Sequence, residues 1–496
     1  MASTSAMRGL AAARPSQKRW LWRAMAVLAA IFFVPEGVCL RCQAAEAAPP
    51  GEPRALGPIL VDAVHANDLS PYGLRPNEHD YHHLHGYHRA LEYLRSRGVA
   101  LEYHHQGRLD AARLASCRLL FINLVSAERP PFLVGEIEAI RSFVAQGGSL
   151  LVITDHTNVY YHAYRLMPLF EQLGMESFTD AACDVPPWTL GAGSGWIAVE
   201  RLVDHPVTRG LECIALQTGG CVDARWAVAW TSPHSWADAW SEPRFGENAV
   251  PGFCGNFRRD PGERSGPLGV VLARTFGRGR IVVAGDQNMF GDVFLCYADN
   301  YRLWLQTVAW LLDAPALAES EPFRQWKSPR VLLYEDYRRA AWGADDGSGC
   351  HFAFVLLGRY FWTFANSRLD EPSDLIVFAD NDRSLPQPQL QATLAHLRKG
   401  KNVLVLNAEH SAGDGSVLLG QILGALGLGF PTGGAEQAFL TLSVAGGGTV
   451  GVLGSGTPID NTTIARPEEP PSGAKAARQE LVLEAVRRMV RRRAFP

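Results

Sequence analysis

Hydrophobic positions along this chain fall into two interleaved rhythms. Short, almost continuous apolar runs occur at Ile59–Val64, Val99–Tyr103, Cys117–Leu124 and Ser149–Thr154. Between them, at Tyr87–Arg97, Gly135–Gln146 and Tyr161–Leu173, apolar residues recur three and four apart, as Ile137, Ile140 and Phe143 do. Short unbroken runs suit strands buried on both faces, and the 3.6-residue period suits helices packed along one stripe. The helix over 135–146 stops at Gly147-Gly148, a usual helix ending. The order is β-α-β-α, which predicts a parallel sheet with right-handed crossovers.

From about Phe178 to Gly266 the rhythm fails, and a stretch rich in Trp, Pro and Gly reads as an insertion of short strands and loops. Order returns with strands Val270–Thr275 and Arg280–Ala284 around a Gly277–Gly279 turn, then a helix over Asn300–Leu312. From residue 330 the pattern repeats more briefly. Strands are predicted at Arg330–Tyr334, Leu375–Ala379 and Asn402–Leu406, and helices at Phe352–Arg359, Gln389–Leu397 and Ser416–Leu426. A glycine-rich β stretch (Leu440–Gly454), a Pro-rich loop and an Arg-rich helix from Lys475 complete the chain. The segments Ile137–Ser149–Ile153 and Leu390–Asn402–Leu406 both run helix, glycine stop, apolar strand, polar turn, an internal repeat of architecture.

Composition narrows the picture. At 496 residues the chain exceeds one hydrophobic core, so two domains plus tails are expected. A net charge of −3 gives no electrostatic footprint for nucleic acid, and Arg487, Arg488, Arg491, Arg492 and Arg493 read as the solvated end of a helix. Near the N-terminus, Arg8, Arg14, Lys18, Arg19 and Arg23 precede the apolar run Ala24–Val34, which Pro35 and Gly37 break. That pattern suits an export leader with small residues near Ala44–Ala48, or an uncleaved anchor. The expectation is a periplasmic or extracellular protein that touches membrane only through this segment. Beyond the leader lie seven cysteines, with Cys213 and Cys221 the closest pair in sequence. One or two disulfides and buried free thiols are both compatible with that count. The domain reading is 1–47 leader or anchor, 48–57 linker, 58–315 first domain with its insertion at about 178–266, 316–329 linker, 330–460 smaller second domain, and 461–496 tail.

Four motifs carry a resemblance. Asp62-x-x-His65-x-Asn67 closes the first strand, and Gly147-Gly148 leads into Leu150-Leu151-Val152-Ile153-Thr154-Asp155-His156. The run from Gly279 to Asp286 is followed by Met289-Phe290, and Asp299-Asn300-Tyr301 opens a helix ending in Trp310-Leu311-Leu312. Together they resemble the type 1 glutamine amidotransferase-like (class I GATase-like) superfamily, in particular its uncharacterised members among bacterial envelope and transport-accessory proteins. The resemblance covers about residues 58–313, with 330–430 a shorter second copy. It implies an α/β fold of two tandem flavodoxin-like, three-layer domains with mostly parallel sheets. In catalytic members a cysteine sits on the sharp turn after the strand equivalent to Ser149–Thr154, with a histidine and an acid downstream. Here the two turns read Asp155-His156-Thr157-Asn158 and Asn407-Ala408-Glu409-His410. Neither holds a cysteine, so glutamine hydrolysis through a thioester is not expected.

In an open parallel sheet ligands bind beyond the carboxyl ends of the strands. Asp62, His65, Asn67, Asp155, His156 and Asp286 fall there and are the candidate ligand-binding residues. Eight of the fifteen histidines lie between His65 and His105. Imidazoles and carboxylates converging on one crevice would hold a divalent metal, with His65, His79, His82, His83, His85, Asp155 and His156 as candidate ligands. Turn closure and helix capping are the competing reading of the same acids. The second copy offers only Asp336, Asp380, Glu409 and His410. In the insertion, Trp188 and Trp196 suit stacking on sugar faces, as ThuA-type relatives on this fold are associated with carbohydrate metabolism; an aromatic mini-core is the alternative. Three functions stay open: a noncatalytic envelope protein that binds a ligand or a protein partner, a metal-assisted hydrolase of carbohydrate or amide substrates, and a carbohydrate-binding protein.

Overall fold

The computed structural model describes residues 58–66, 86–190, 193–239, 255–292, 294–319, 328–335, 350–379, 383–406, 417–429, 439–454, 464 and 472–490. The first half runs β1 (Ile59–Asp62), α1 (His88–Ser96), β2 (Leu101–His104), α2 (Ala111–Leu114), β3 (Leu119–Asn123), α3 (Val134–Ala145), β4 (Ser149–Ile153) and α4 (His162–Gln172). Then come β5 (Asp180–Cys183), β6 (Trp196–Val199), β7 (Arg201–Leu202), β8 (Ile214–Gln217), β9 (Ala227–Trp230) and β10 (Trp236–Ala239). A hairpin of β11 (Gly269–Phe276) and β12 (Gly279–Ala284) leads to α5 (Asn300–Leu312) and α6 (Ala316–Glu319).

Side-chain alternation makes this half three layers deep. Val61, Phe121, Leu151, Ile153, Val282 and Ala284 join one core, with Tyr87, α1 and α5. Their neighbours Leu60, Leu120, Ile122, Leu150, Val152, Ile281 and Val283 join another, with α3 and α4. Successive residues of a strand point to opposite faces, so an unbroken apolar run fills both. The sheet order is β2-β1-β3-β4-β12-β11-β9-β7. It is parallel from β2 to β12 and antiparallel from there to β7. The insertion is therefore partly structural sheet: β7 and β9 extend the main sheet, while β5 pairs with β10 and β6 with β8.

The second half repeats the plan. Its elements are β13 (Arg330–Tyr334), α7 (His351–Gly358), β14 (Trp362–Asn366), β15 (Leu375–Phe378), α8 (Gln387–Arg398), β16 (Asn402–Leu406), α9 (Val417–Ala425), β17 (Phe439–Ser443), β18 (Thr449–Leu453) and α10 (Gly473–Val490). The sheet order β14-β13-β15-β16-β18-β17 matches β2-β1-β3-β4-β12-β11 strand for strand. Both end in an antiparallel hairpin whose later strand pairs with the fourth parallel strand. β14 is not among the predicted strands; only Arg359-Tyr360-Phe361 separate it from the end of α7, too short a break to mark a new element in the apolar pattern.

The repeat extends to single residues. Ser149, first in β4, donates its hydroxyl to the Leu311 carbonyl near the end of α5 at 2.6 Å. Asn402, first in β16, donates its amide to the Met489 carbonyl near the end of α10. Gly279 opens β12 against the carbonyls of Gly148 and Val144, and Gly448 sits before β18 against those of Leu397 and Lys401. A Cβ at either glycine would overlap those oxygens.

The halves interlock within one compact unit, Ala55–Pro496. The Tyr297 hydroxyl lies 2.5 Å from that of Thr363, and Arg89 donates to the Arg359 carbonyl at 2.5 Å. Trp196 packs edge-on to Phe294 at 5.7 Å and tilts against Phe354 at 5.9 Å. Among the described residues no helix is long and apolar enough to cross a membrane. Cys117, Cys183, Cys213, Cys221 and Cys296 are free and buried, which overturns a Cys213–Cys221 bridge. Cys213 precedes β8 and Cys221 follows it, so the strand itself holds them apart.

Candidate functional site

The acids expected to converge divide between the two faces of the first sheet. Asp62 follows Val61 and so points with Leu60 to the side covered by α3. Both its carboxylate oxygens lie near His65 Nδ1, at 2.9 and 3.1 Å. His65 Nε2 is 3.7 Å from Glu136 on α3, and the ring stacks on Phe132 with centroids 4.0 Å apart. Glu136 in turn accepts from the N–H groups of Leu133 (2.8 Å) and Leu109 (3.0 Å). Asp62, His65 and Glu136 are all buried. This is a closed polar knot that ties the end of β1 to the start of α3, and sequence reading missed Glu136 and Phe132.

Asp155 and Asp286 occupy the opposite face. β4 and β12 are paired through Ile153 and Ala284, and the Thr154 N–H continues the ladder to the Ala284 carbonyl at 2.9 Å. Each aspartate lies two residues past its paired residue, so the two sit side by side on the Tyr87 side. Asp286 accepts from the N–H groups of Gln217 (2.6 Å) and Asn288 (2.7 Å), and Met289 N–H also supports it. Asp155 accepts from the N–H of His156 at 2.7 Å. Burial first, then the Asp286 charge, holds the Asp155 carboxyl well above the usual range. Burial also raises Asp286, to about 7, against the pull of its main-chain donors. Tyr87, whose hydroxyl donates to the Gln287 carbonyl at 2.7 Å, is likewise pushed up by burial and by the two acids.

The turn after β4 keeps a strained shape without a thiol. Thr157 has φ 47, a left-handed conformation unusual for a β-branched residue. His156 Nδ1 lies 3.1 Å from the Thr157 hydroxyl, but Asp155 is 3.9 Å from His156 Nε2, too far to orient it by a hydrogen bond. Burial drives the His156 imidazole down to about 3, far below a working general base. His162, unforeseen in sequence, accepts from the Asp155 N–H at 3.3 Å and is also held low, at about 4, by burial.

Among the described residues no group of three or more His, Cys, Asp or Glu is arranged to hold a metal. His65 is taken by Asp62 and Glu136 on one face, whereas Asp155 and His156 lie on the turn after β4, so those three do not form one coordination site. Asn67, His79, His82, His83 and His85, and in the second copy Asp336, Asp380, Glu409 and His410, lie outside the described residues.

A cleft of about 640 Å³ opens elsewhere, between the loop after β5 and the second sheet. Its walls include Trp188, Trp236, Trp362, Asp184, Arg330 and Glu371. Trp188 stacks on His234 at 5.2 Å, and the Arg330 guanidinium lies 4.2 Å from the Trp362 ring centre. The indole N–H groups of Trp236 and Trp362 are buried and find no partner among the described residues. Of the two tryptophans singled out in the insertion, Trp188 lines this cleft, while Trp196 is packed between the halves. Trp362 and Arg330 come from the second half, and only the tertiary fold brings them to Trp188.

No family model matches the chain, and a search of curated proteins returns no relative. Solved structures resemble it in fold over about half its length. The mmIFT52 N-terminal domain aligns at 15% identity over 51% of this chain and 97% of its own, with a TM-score of 0.36. A cytoplasmic protein from Salmonella typhimurium aligns at 14% over 52% and 99%, with a TM-score of 0.31. A ThuA-like protein from Bacteroides uniformis aligns at 13% over 53% and 95%, with a TM-score of 0.29. The fold class itself stands on the strand orders and the layering: two tandem α/β, flavodoxin-like domains, the first with a Trp-bearing insertion.

Proposed function

We propose that this protein is a noncatalytic, carbohydrate-binding component of the cell envelope, built on an amidotransferase-like fold. The observation that carries this reading is the aromatic cleft. Indole faces offer stacking surface to the apolar face of a sugar ring. Glu371 and Arg330 on the same walls supply an acceptor and a donor for hydroxyl groups. The turn after β4 supports a noncatalytic role, because it carries neither a cysteine nor a usable base. The basic and apolar N-terminal pattern supports export.

Calorimetric titration with cello-, malto-, manno- and chitohexaose tests the reading. At least one hexasaccharide is expected to bind, and Trp188→Ala and Trp362→Ala are each expected to weaken it about ten-fold, equivalent to about 1.4 kcal/mol. Binding that both variants leave unchanged would remove the cleft from the account. No ammonia is expected from glutamine, and its steady release would refute the noncatalytic part.

A further inference from the structure

The Asp155–Asp286 pair has no role in the cleft reading, yet its cost to the fold is plain. Two carboxyl groups lie side by side, both buried, and no lysine or arginine pairs with either among the described residues. Two negative charges in that position would repel in a medium that screens them poorly. Donor counts decide how the site is balanced. Asp286 receives three main-chain N–H groups and suits the ionised form, while Asp155 receives one. The proton therefore sits on Asp155.

What the pair bears on is also defined. Gly219 and Gly220 close over it: a Cβ on Gly219 would fall 3.0 Å from the Asp286 Cβ, and one on Gly220 would overlap the Asp155 carbonyl. Gly220 N–H donates to the Gly285 carbonyl at 2.6 Å. The Gly219 carbonyl accepts from Ala182 in β5 at 2.7 Å, and the Thr157 N–H donates to Asp180 in β5 at 2.9 Å. β5 runs directly into Asp184 and Trp188 of the cleft wall, and Trp236 pairs with Cys183 across the β5–β10 ribbon.

We propose that the carboxyl pair is a proton-held clamp: with Asp155 protonated it seats the Gly219–Gly220 loop and β5, and loss of that proton unseats them and loosens the aromatic cleft. Ligand control by this clamp rests on the cleft being the binding site, whereas the clamp itself does not. The other titratable and charged groups around the pair are Tyr87 before α1, His156 and His162 beyond β4, Asp180 paired with Arg264, and Cys221. His156 and His162 stay neutral through the alkaline range, and the Tyr87 and Cys221 hydrogens are held more tightly than usual by burial, so none of these mimics the clamp.

Amide hydrogen exchange of the unaltered protein and of Asp155→Asn, compared at the same pH, tests the clamp. The amide side chain of that variant keeps an oxygen for the His156 N–H and cannot ionise. Equal protection is expected at about pH 6, and at about pH 9 the Gly219, Gly220 and Ala182 amides of the unaltered protein should exchange at least ten-fold faster than in the variant. Equal protection at both values would overturn the clamp. The unaltered protein supplies a second reading: an infrared band of a protonated carboxyl is expected to persist at about pH 8, and its absence overturns the proposal. For the hexasaccharides, affinity should fall towards pH 9 in the unaltered protein alone. Parallel pH profiles in both proteins would overturn the link to the cleft. Failure of every sugar to bind beside a clear exchange difference would sink the carbohydrate reading and support the clamp.

Discussion

At the scale of single residues, position within a strand separates structure from candidate chemistry. The odd step from Val61 to Asp62 and the even steps from Ile153 to Asp155 and from Ala284 to Asp286 send these acids to opposite faces. His65→Ala would strip Asp62 of its imidazole partner inside the protein. A loss of about 2–3 kcal/mol in urea-induced unfolding is expected, since the buried carboxylate would keep only the main-chain N–H groups of residues 64 and 65. Asp155→Asn should act in the other direction. The Asp155 carboxyl is raised in the folded state, so its favourable contribution is complete below the ordinary carboxyl range and is lost as pH rises towards its folded value. Across that window one retained proton costs about 1.4 kcal/mol per pH unit. The variant should therefore be the more stable protein at about pH 8, by a margin that shrinks on acidification. Strand parity was legible in the sequence, because the strand boundaries at Ile59, Ser149 and Gly279 were close enough to count from. Glu136, Phe132 and the Gly219–Gly220 loop were not, because their partners lie tens of residues away and no local period encodes them.

Among the elements, the helix–glycine–strand repeat proved to be the readable part, since alternating apolar runs and helical stripes are local signals. The strand order of each sheet follows from right-handed crossovers between such units. The insertion was harder to read. β7 and β9 are two and four residues long and pair antiparallel, so the sheet they extend is visible only from their partners. The matching glycines give the repeat an energetic test. Gly279→Ala and Gly448→Ala each push a methyl group into carbonyl oxygens at the same corner of their own sheet. Each is expected to destabilise by about 2–4 kcal/mol in thermal or urea unfolding, whereas Gly135→Ala, inside α3 with nothing near its added Cβ, should stabilise by about 0.5–1 kcal/mol. If the two corner glycines behaved like Gly135, the corner would not be a tight junction.

Across the whole molecule, the halves share side chains rather than merely touching. Trp196 from the first half rests on Phe354 of the second, and the Tyr297–Thr363 hydroxyl pair lies beside it. Calorimetry of the unaltered protein should show one unfolding transition, and Trp196→Ala, which empties part of that junction, should split it in two. The thiols lead to a different use of the same packing. Burial pushes the Cys117 and Cys183 thiols up to about 12 and Cys296 to about 11, so at neutral pH they are both hidden and unreactive. They are spread through the first half, from β3 to the approach to α5, with Cys350 in the second. Each is in effect a clock attached to its own region. An alkylating reagent can mark it only while that region is open, so the rate at which each thiol is marked times the opening of the surrounding fold, with no cysteine engineered in.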